Sequence, residues 1–266
     1  MSESDRTNSV GYIVGFAIAV CLACAVLVAA AAVALKPMQD KNARVDRLSK
    51  VLGVAGLISD DETLTDEEVF ARFEKNIEAK IVTMKTGEYD TTIDASDYDQ
   101  RKASKDPATS FKAPDNPAKV FRLPNHALVY QVKKEGAVDQ LILPIQGYGL
   151  WSTLYGYLAM KSDAQTITGI TFYEHGETPG LGGEVENPRW QAKWNGRKAF
   201  AQDGTVQIEV VKGAAGNAEQ DPYKVDGLSG ATITSRGVTN TLDFWLGENG
   251  FGPYLEKVRK EGGTSL

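Results

Sequence analysis

The chain has 266 residues and a formal net charge of −6, with 29 Lys and Arg against 35 Asp and Glu. This acidic balance argues against a nucleic-acid partner, because a surface that binds phosphate backbones needs clustered Lys and Arg. The two cysteines, Cys21 and Cys24, both lie in an apolar run. The rest of the chain can therefore hold neither a disulfide nor a cysteine-ligated iron–sulfur cluster, and redox chemistry there would need an organic cofactor.

The apolar run extends from Tyr12 to Leu35 without a charged residue. A helix of that length spans roughly 36 Å, enough to cross a hydrocarbon core of about 30 Å. The run is longer than the apolar core of a typical signal peptide, and the segment before it carries two acidic residues, so both features favour a transmembrane helix over a cleaved signal peptide. We predict a single transmembrane helix. The spacing of Cys21 and Cys24 favours packing in this helix, and a metal or redox site stays open as the alternative.

The charges that flank this helix bear on its orientation. Arg6 precedes it, whereas five cations follow it: Lys36, Lys41, Arg44, Arg47 and Lys50. Read by itself, the positive-inside rule places the large C-terminal domain in the cytoplasm. That rule weakens when the segment that follows the helix is a long folded domain.

Two helical patterns follow Pro37. Apolar residues at helical spacing predict that the anchor continues as an amphipathic stalk and ends near Gly53 or Gly56. Thr65 and Glu68 form a capping box, in which each side chain satisfies a backbone N–H of the first helical turn. The helix that starts there should present one apolar face, made of Val69, Phe70, Phe73 and Ile77.

The segment from Asp94 to Pro117 lacks periodicity and predicts a loop. Beyond it, short β-branched or aromatic runs predict strands at residues 127–132, 141–145, 154–160, 166–173 and 206–211, with a hairpin turn at 162–165. One later helix should start near Pro188, with Trp190 and Trp194 on one face. Another should start near Thr234, with its apolar face made of Val238, Leu242, Trp245 and Leu246, and end at Gly247.

These elements predict an α+β fold, because strands and helices do not alternate as a doubly wound sheet requires. We divide the chain into four parts. They are an N-terminal tail and transmembrane anchor (1–36), a helical stalk and linker region (37–117), one soluble domain (118–258) and a C-terminal tail (259–266).

The segment from Asp226 to Ser235 carries the strongest signal for a binding site. Its small residues lead into a helix, whose first N–H groups and positive dipole end suit a phosphate group. An ordinary glycine turn followed by an N-cap is the open alternative. The sequence has no dinucleotide or Walker fingerprint, and with His126 and His175 as its only histidines it offers little material for a zinc site or a catalytic triad.

The string Asp226-Gly-Leu-Ser-Gly-Ala-Thr232 matches the D-x-x-S/T-G-A-T signature of the FMN-binding domain family. Segments 147–152, 177–183 and 211–213 resemble the other pocket segments of that family and occur in the expected order. Over nearly its whole length the chain resembles the C-subunit family of the bacterial Na+-translocating NADH:quinone reductases. The G-subunit family of the Rnf electron-transport complexes is the alternative, and a membrane-anchored module without redox activity is a third possibility.

The resemblance implies that FMN is attached through its phosphate to Thr232 by a separate flavin transferase that uses FAD. It implies a subunit that relays electrons from NADH toward ubiquinone, coupled to sodium export, together with other membrane subunits and without oxidising NADH alone. It also implies a bacterial inner-membrane protein with its soluble domain in the periplasm. The flanking charges and the resemblance predict opposite orientations, and we adopt the periplasmic one that the resemblance implies.

The resemblance also assigns the cofactor-binding residues, and no catalytic or metal-binding residue is expected. Around the Thr232 phosphoester, the phosphate site comprises Asp226, Ser229, Gly230, Ala231 and Thr234. One wall of the ring site comprises Glu177, Thr178, Gly180, Leu181 and Gly182, and the opposite wall comprises Gly149, Leu150 and Trp151. Lys212 would add positive charge. Asp226 as a turn residue, Trp151 as core packing and Lys212 as a solvated side chain are the open alternatives.

Overall fold

The computed structural model describes residues 10–59 and 62–260. The chain divides into two compact units, Met1–Asp46 and Arg47–Leu266. Most of helix α1, which spans Val10–Val54 and continues through Pro37, lies in the first unit. Its apolar part is exposed, and it is the one helix of the described residues that is long and apolar enough to cross a membrane. This agrees with the predicted anchor, and the helix ends where the stalk was expected to end.

Helix α2 (Asp66–Asn76) begins at the predicted capping box. Glu68 N–H donates to Thr65 Oγ1 at 3.4 Å, and Thr65 N–H donates to the Glu68 carboxylate at 2.8 Å. The expectation that Ile77 belongs to this helix is wrong, since the backbone turns extended at Ile77 and strand β1 (Ile77–Thr83) starts there. Ile77 keeps helical spacing to the residues before it, so the pattern alone could not place the boundary.

The segment 94–117, predicted as a loop, contains helix α3 (Gln100–Lys105) and strand β2 (Ser110–Lys112). Asp99 caps α3 by accepting from two backbone N–H groups at 3.0 Å each. Strand β2 pairs with β3 (Arg122–Pro124). The loop prediction is wrong here because one capping residue and one non-local pairing stabilise elements too short to show periodicity.

The central sheet has five antiparallel strands in the order β1-β4-β5-β6-β7. Its other members are β4 (His126–Lys134), β5 (Ala137–Tyr148), β6 (Thr153–Lys161) and β7 (Ile167–Glu174). The four strand predictions between residues 127 and 173 are confirmed. The hairpin turn is also confirmed, and Asp163 fixes it by accepting from Gln165 N–H at 2.8 Å and Thr166 N–H at 2.7 Å. The edge strand β1 comes from the segment 37–117, so the sheet begins before residue 118.

Short elements follow the sheet: a 3-10 turn (Gly182–Glu186), helix α4 (Pro188–Gln191), a second 3-10 turn (Ala192–Trp194), and the parallel strands β8 (Glu209–Val210) and β9 (Lys224–Val225). Pro188 occupies the first turn of α4, as predicted. Trp190 and Trp194 are both buried and pack edge to face. The six-residue strand predicted at 206–211 is wrong, because this stretch bonds singly to several elements and forms a ladder only at Glu209–Val210.

Helix α5 (Thr232–Leu246) lies on one face of the sheet and is followed by α6 (Gly252–Lys260). It starts two residues earlier than predicted and ends at Gly247 as predicted. Its apolar face contains Val238, Leu242 and Trp245. These side chains share one core with strand residues that include Leu143 and Leu158. The predicted α+β fold is confirmed.

Glycine lets α5 approach the end of β5 closely. A Cβ atom at Gly237 would lie 2.5 Å from the Tyr148 carbonyl oxygen. This contact brings the start of α5 beside the loop that leaves β5 at Gly149.

Candidate functional site

Thr232 is the first residue of helix α5, and its side chain is exposed. The N-cap, Ala231, provides no capping side chain, and the first turn has no acidic residue. Among the described residues, none accepts a hydrogen bond from the backbone N–H groups of Thr232, Ile233 or Thr234. The helix therefore offers a hydroxyl and free N–H donors at its positive dipole end, where an anionic group is stabilised.

Thr234, the second threonine of this turn, lies in a different environment. It is fully buried, and its hydroxyl donates to the Glu177 carboxylate at 2.5 Å. Ser235 is also buried, and its Oγ accepts from Leu228 N–H at 3.0 Å. Among Thr232, Thr234 and Ser235, only Thr232 is exposed to solvent.

The carboxylate of Glu177 joins three segments of the site. Besides the Thr234 hydroxyl, it accepts from Trp151 N–H at 2.9 Å and from Leu150 N–H at 3.1 Å. Burial raises the pKa of Glu177, but the Thr234 hydroxyl and the loop N–H groups outweigh it and hold the pKa below its usual value. Glu177 is therefore ionised at neutral pH and holds the 149–152 loop against the start of α5.

Two glycines make room for this carboxylate. A Cβ atom at Gly182 would lie 2.6 Å from both Glu177 Oε2 and Thr234 Oγ1. A Cβ atom at Gly149 would lie 2.7 Å from Glu177 Oε1. Both distances are shorter than a van der Waals contact, so the network requires glycine at both positions.

Apolar side chains remain exposed around the start of α5. Trp151 is 65% exposed, Ile233 54%, Leu181 44% and Leu150 39%. Leu181 lies beside the motif turn, because a Cβ atom at Gly230 would lie 2.8 Å from Leu181 Cδ2. Since Trp151 is exposed, it does not serve as core packing. Large exposed apolar side chains in one neighbourhood are typical of a binding surface.

Asp226 fixes the approach of the chain to this turn. Its carboxylate pairs with Lys193 and accepts from Ala215 N–H at 3.0 Å, while its carbonyl accepts from Trp190 Nε1 at 2.8 Å. Burial raises the pKa of Asp226, but these donors, Lys193 first, lower it below its usual value. These contacts make Asp226 a structural anchor of the turn.

The remaining predicted residues occupy turns near these groups. The Thr178 carbonyl accepts from Leu181 N–H at 3.1 Å and from Gly183 N–H at 3.0 Å, and Gly180 has a positive φ of 75° that suits glycine. Ser229 and Gly230 are exposed. Lys212 is exposed in a turn whose neighbour Gly213 accepts from Gly227 N–H at 2.8 Å.

Sequence reasoning missed several supporting residues. Ser152 Oγ accepts from Gly176 N–H at 2.6 Å, and Lys193 neutralises Asp226. His175 Nδ1 accepts from Glu177 N–H at 3.1 Å, and His175 Nε2 lies 3.1 Å from Glu186. Ser152 lies inside a recognised motif and could have been found there. Lys193 gives no sequence signal, because its partner is 33 residues away.

Residues 149–247 match the family described as FMN-binding domain. This range begins at the Gly149 loop and ends at the last residue bounding α5, so it contains the whole network described above. The chain therefore carries an FMN-binding domain.

The chain is 45% identical to the C subunit of the Na(+)-translocating NADH-quinone reductase of Pseudomonas aeruginosa, over 92% of this chain and 94% of that protein. It is 46% identical to the C subunit of the same enzyme from Vibrio anguillarum, over 98% of both. The chain belongs to this C-subunit family. Its fold matches the crystal structure of Shewanella oneidensis NqrC with a TM-score of 0.74 and 34% identity, covering 84% of this chain and 99% of that one.

Membership in the C-subunit family confirms the resemblance drawn from the sequence. It decides against the Rnf G-subunit family and against a module without redox activity. The relatives are subunits of a multi-subunit oxidoreductase, so this chain is a subunit of such an enzyme.

Proposed function

We propose that this chain carries FMN bound covalently through its phosphate to Thr232 and relays electrons from NADH toward ubiquinone, coupled to sodium export. The observation that carries the proposal is the contrast between two threonines of one turn. Thr232 exposes its hydroxyl at the uncapped start of α5, whereas Thr234 is buried and bonded to Glu177. A phosphoester at Thr232 would place its anionic oxygens beside unpaired N–H groups.

The residues around Thr232 fit an FMN group. The N–H groups of the first turn of α5 would hold the phosphate, and the exposed side chains of Trp151, Leu181 and Ile233 would contact the apolar part of the ring. The Glu177 network would keep these segments at fixed positions. When bound, the flavin supplies the capacity to accept and release electrons.

Attachment of the flavin requires help from another protein. The Thr232 oxygen would attack the FMN phosphorus of FAD, a new O–P bond would form, and the P–O bond to AMP would break. An unactivated threonine hydroxyl is a weak nucleophile and needs a base to take its proton. Glu177 does not supply that base, because it is buried and already accepts from Thr234 and the loop. We therefore assign activation to a flavin transferase.

The test of attachment compares three full-length proteins made with a flavin transferase. Wild type and Thr232→Ser should both show an FMN adduct by intact mass and a fluorescent band on a denaturing gel, because both keep a hydroxyl. Thr232→Ala should fold and show neither. An adduct on the Thr232→Ala protein would remove Thr232 as the acceptor.

We further propose that α1 anchors the protein in the bacterial inner membrane beside the other membrane subunits, with the soluble domain in the periplasm. A C-terminal reporter fusion tests the orientation. An export-dependent phosphatase should be active and a cytoplasm-only fluorescent reporter silent. The reverse pattern would show that the cations following α1 set the topology.

As a relay, the isolated chain should not oxidise NADH directly. The sequence has no dinucleotide fingerprint, and hydride transfer needs a nicotinamide stacked on the flavin ring. The flavinylated protein is mixed anaerobically with NADH, with dithionite as the positive control. Dithionite should bleach the flavin absorbance rapidly, whereas rapid full bleaching by NADH without partner subunits would contradict the relay assignment.

A further inference from the structure

Arg236 is an exposed cation one helical turn after Thr232 on α5. Residues four apart on a helix are neighbours, with Cβ atoms about 5–6 Å apart. Helical side chains also lean toward the N-terminus, so a long side chain at 236 covers the turn that contains Thr232. No family segment discussed above assigns this residue a role.

The positive charge of Arg236 is not paired with an acidic side chain among the described residues. Its guanidinium group forms no hydrogen bond or ion pair with any residue that the structure describes. Two cations near the Asp226 turn already have partners. Lys193 pairs with Asp226, and Arg197 donates to three backbone carbonyls at 2.6–3.0 Å.

The start of α5 also lacks an anionic group. The positive end of a helix dipole favours an anion there, and an arginine one turn further along adds to the positive potential. The first turn of α5 contains no acidic side chain to offset it, whereas the first turn of α2 contains three. A phosphodiester on Thr232 would bring a negative charge to this end of the helix, next to both the dipole and Arg236.

We infer that Arg236 is a positioning residue that pairs with the phosphate group esterified to Thr232 and orients the bound flavin. This inference rests on the proposed attachment at Thr232. The predicted cation, Lys212, lies in a different turn, packed against Gly227. Arg236 instead lies on the same helix as the acceptor, so the helix fixes the separation between the Cβ atoms of residues 232 and 236.

The test is a thermodynamic cycle on the full chain in detergent, with thermal unfolding as the measurement. Arg236→Gln is made in the flavinylated wild type and in the Thr232→Ala background, which lacks the phosphate. We expect Arg236→Gln to lower Tm by about 1–3 °C more in the flavinylated protein. This extra loss should shrink when NaCl rises from low concentration to 1 M, where the screening length falls to about 3 Å.

Two controls separate pairing from a general effect of charge or fold. Arg236→Lys should keep most of the Tm, because a lysine retains the charge. Lys161→Gln, an exposed cation at the opposite end of β6 from the site, should shift both backgrounds equally. If Arg236→Gln lowers Tm equally in the two backgrounds while the adduct is present by mass, the role of Arg236 is refuted and the attachment at Thr232 stands. A wild type without an adduct overturns both this role and the attachment at Thr232.

Discussion

Replacing Glu177 with Gln should destabilise the protein more than any other single exchange of a carboxylate for an amide in the site. The change keeps the shape but turns half of the acceptor into an NH2 donor, facing the N–H groups of Leu150 or Trp151 or the Thr234 hydroxyl. Hydrogen bonds to a charged acceptor contribute about 1.5–3 kcal/mol each and are not additive. We expect a loss of about 3 kcal/mol, which corresponds to a Tm decrease of about 6–12 °C for a domain of this size.

The measurement is thermal unfolding of the full chain in detergent, followed by tryptophan fluorescence. Glu219→Gln, a change of the same chemistry at an exposed position, is the matched control and should leave Tm unchanged. A Glu177→Gln protein as stable as wild type would refute the view that this carboxylate holds the three segments together.

The pH dependence of thermal stability provides a second, independent test of the Glu177 carboxylate. The folded-state pKa of Glu177 is lowered from its ordinary 4.5 by the Thr234 hydroxyl and the loop N–H groups, which outweigh burial. Its stabilisation is therefore fully present above the unfolded-state pKa and is lost as pH falls through the folded-state pKa. The Tm gap between wild type and Glu177→Gln should be constant near neutrality and narrow below pH 4.5. A gap that widens with acid would contradict this assignment.

Two further exchanges probe the same network, and a third exchange outside it serves as a control. Gly182→Ala should cost about 2 kcal/mol or more in unfolding free energy, because the new Cβ would lie 2.6 Å from two bonded oxygens; Gly53→Ala, in a helix with open space around it, should instead be neutral or stabilising by up to about 1 kcal/mol. Thr234→Val should cost about 1–3 kcal/mol because it leaves a buried carboxylate oxygen short of a donor. Denaturant unfolding measures all three, and a Gly182→Ala protein of wild-type stability would show that the network tolerates a side chain there.

Local features of the fold could be predicted from the sequence because their causes are local. The capping box needs only Thr65 and Glu68, and the end of α5 needs only Gly247 after a run of helical spacing. Strand β1 could not be predicted in this way. Its residues continue the helical spacing of α2, and only pairing with β4 about fifty residues later makes them a strand.

The candidate site could likewise be predicted only in part. The motif at 226–232 identifies the residues, but residue order cannot show that Thr234 turns inward to Glu177 while Thr232 stays exposed. That distinction depends on a bond between residues 57 positions apart. It also depends on Gly182, which leaves room for the bond. Arg236 was missed because the predicted helix started near Thr234, whereas the observed start at Thr232 places Arg236 one helical turn after the acceptor.

The hydrogen bond between Thr234 and Glu177 can form only after the domain has folded. A short peptide with the sequence of residues 226–235 contains every residue of the motif. It lacks Glu177, the carboxylate to which the Thr234 hydroxyl donates in the folded domain. A nascent chain likewise lacks that arrangement until β6, β7 and α5 have come together. An enzyme that recognises the assembled turn would pass over unfinished molecules and modify mature ones. If FMN is attached to Thr232 as proposed, flavin absorbance of a purified chain would then show that it had folded before it was modified.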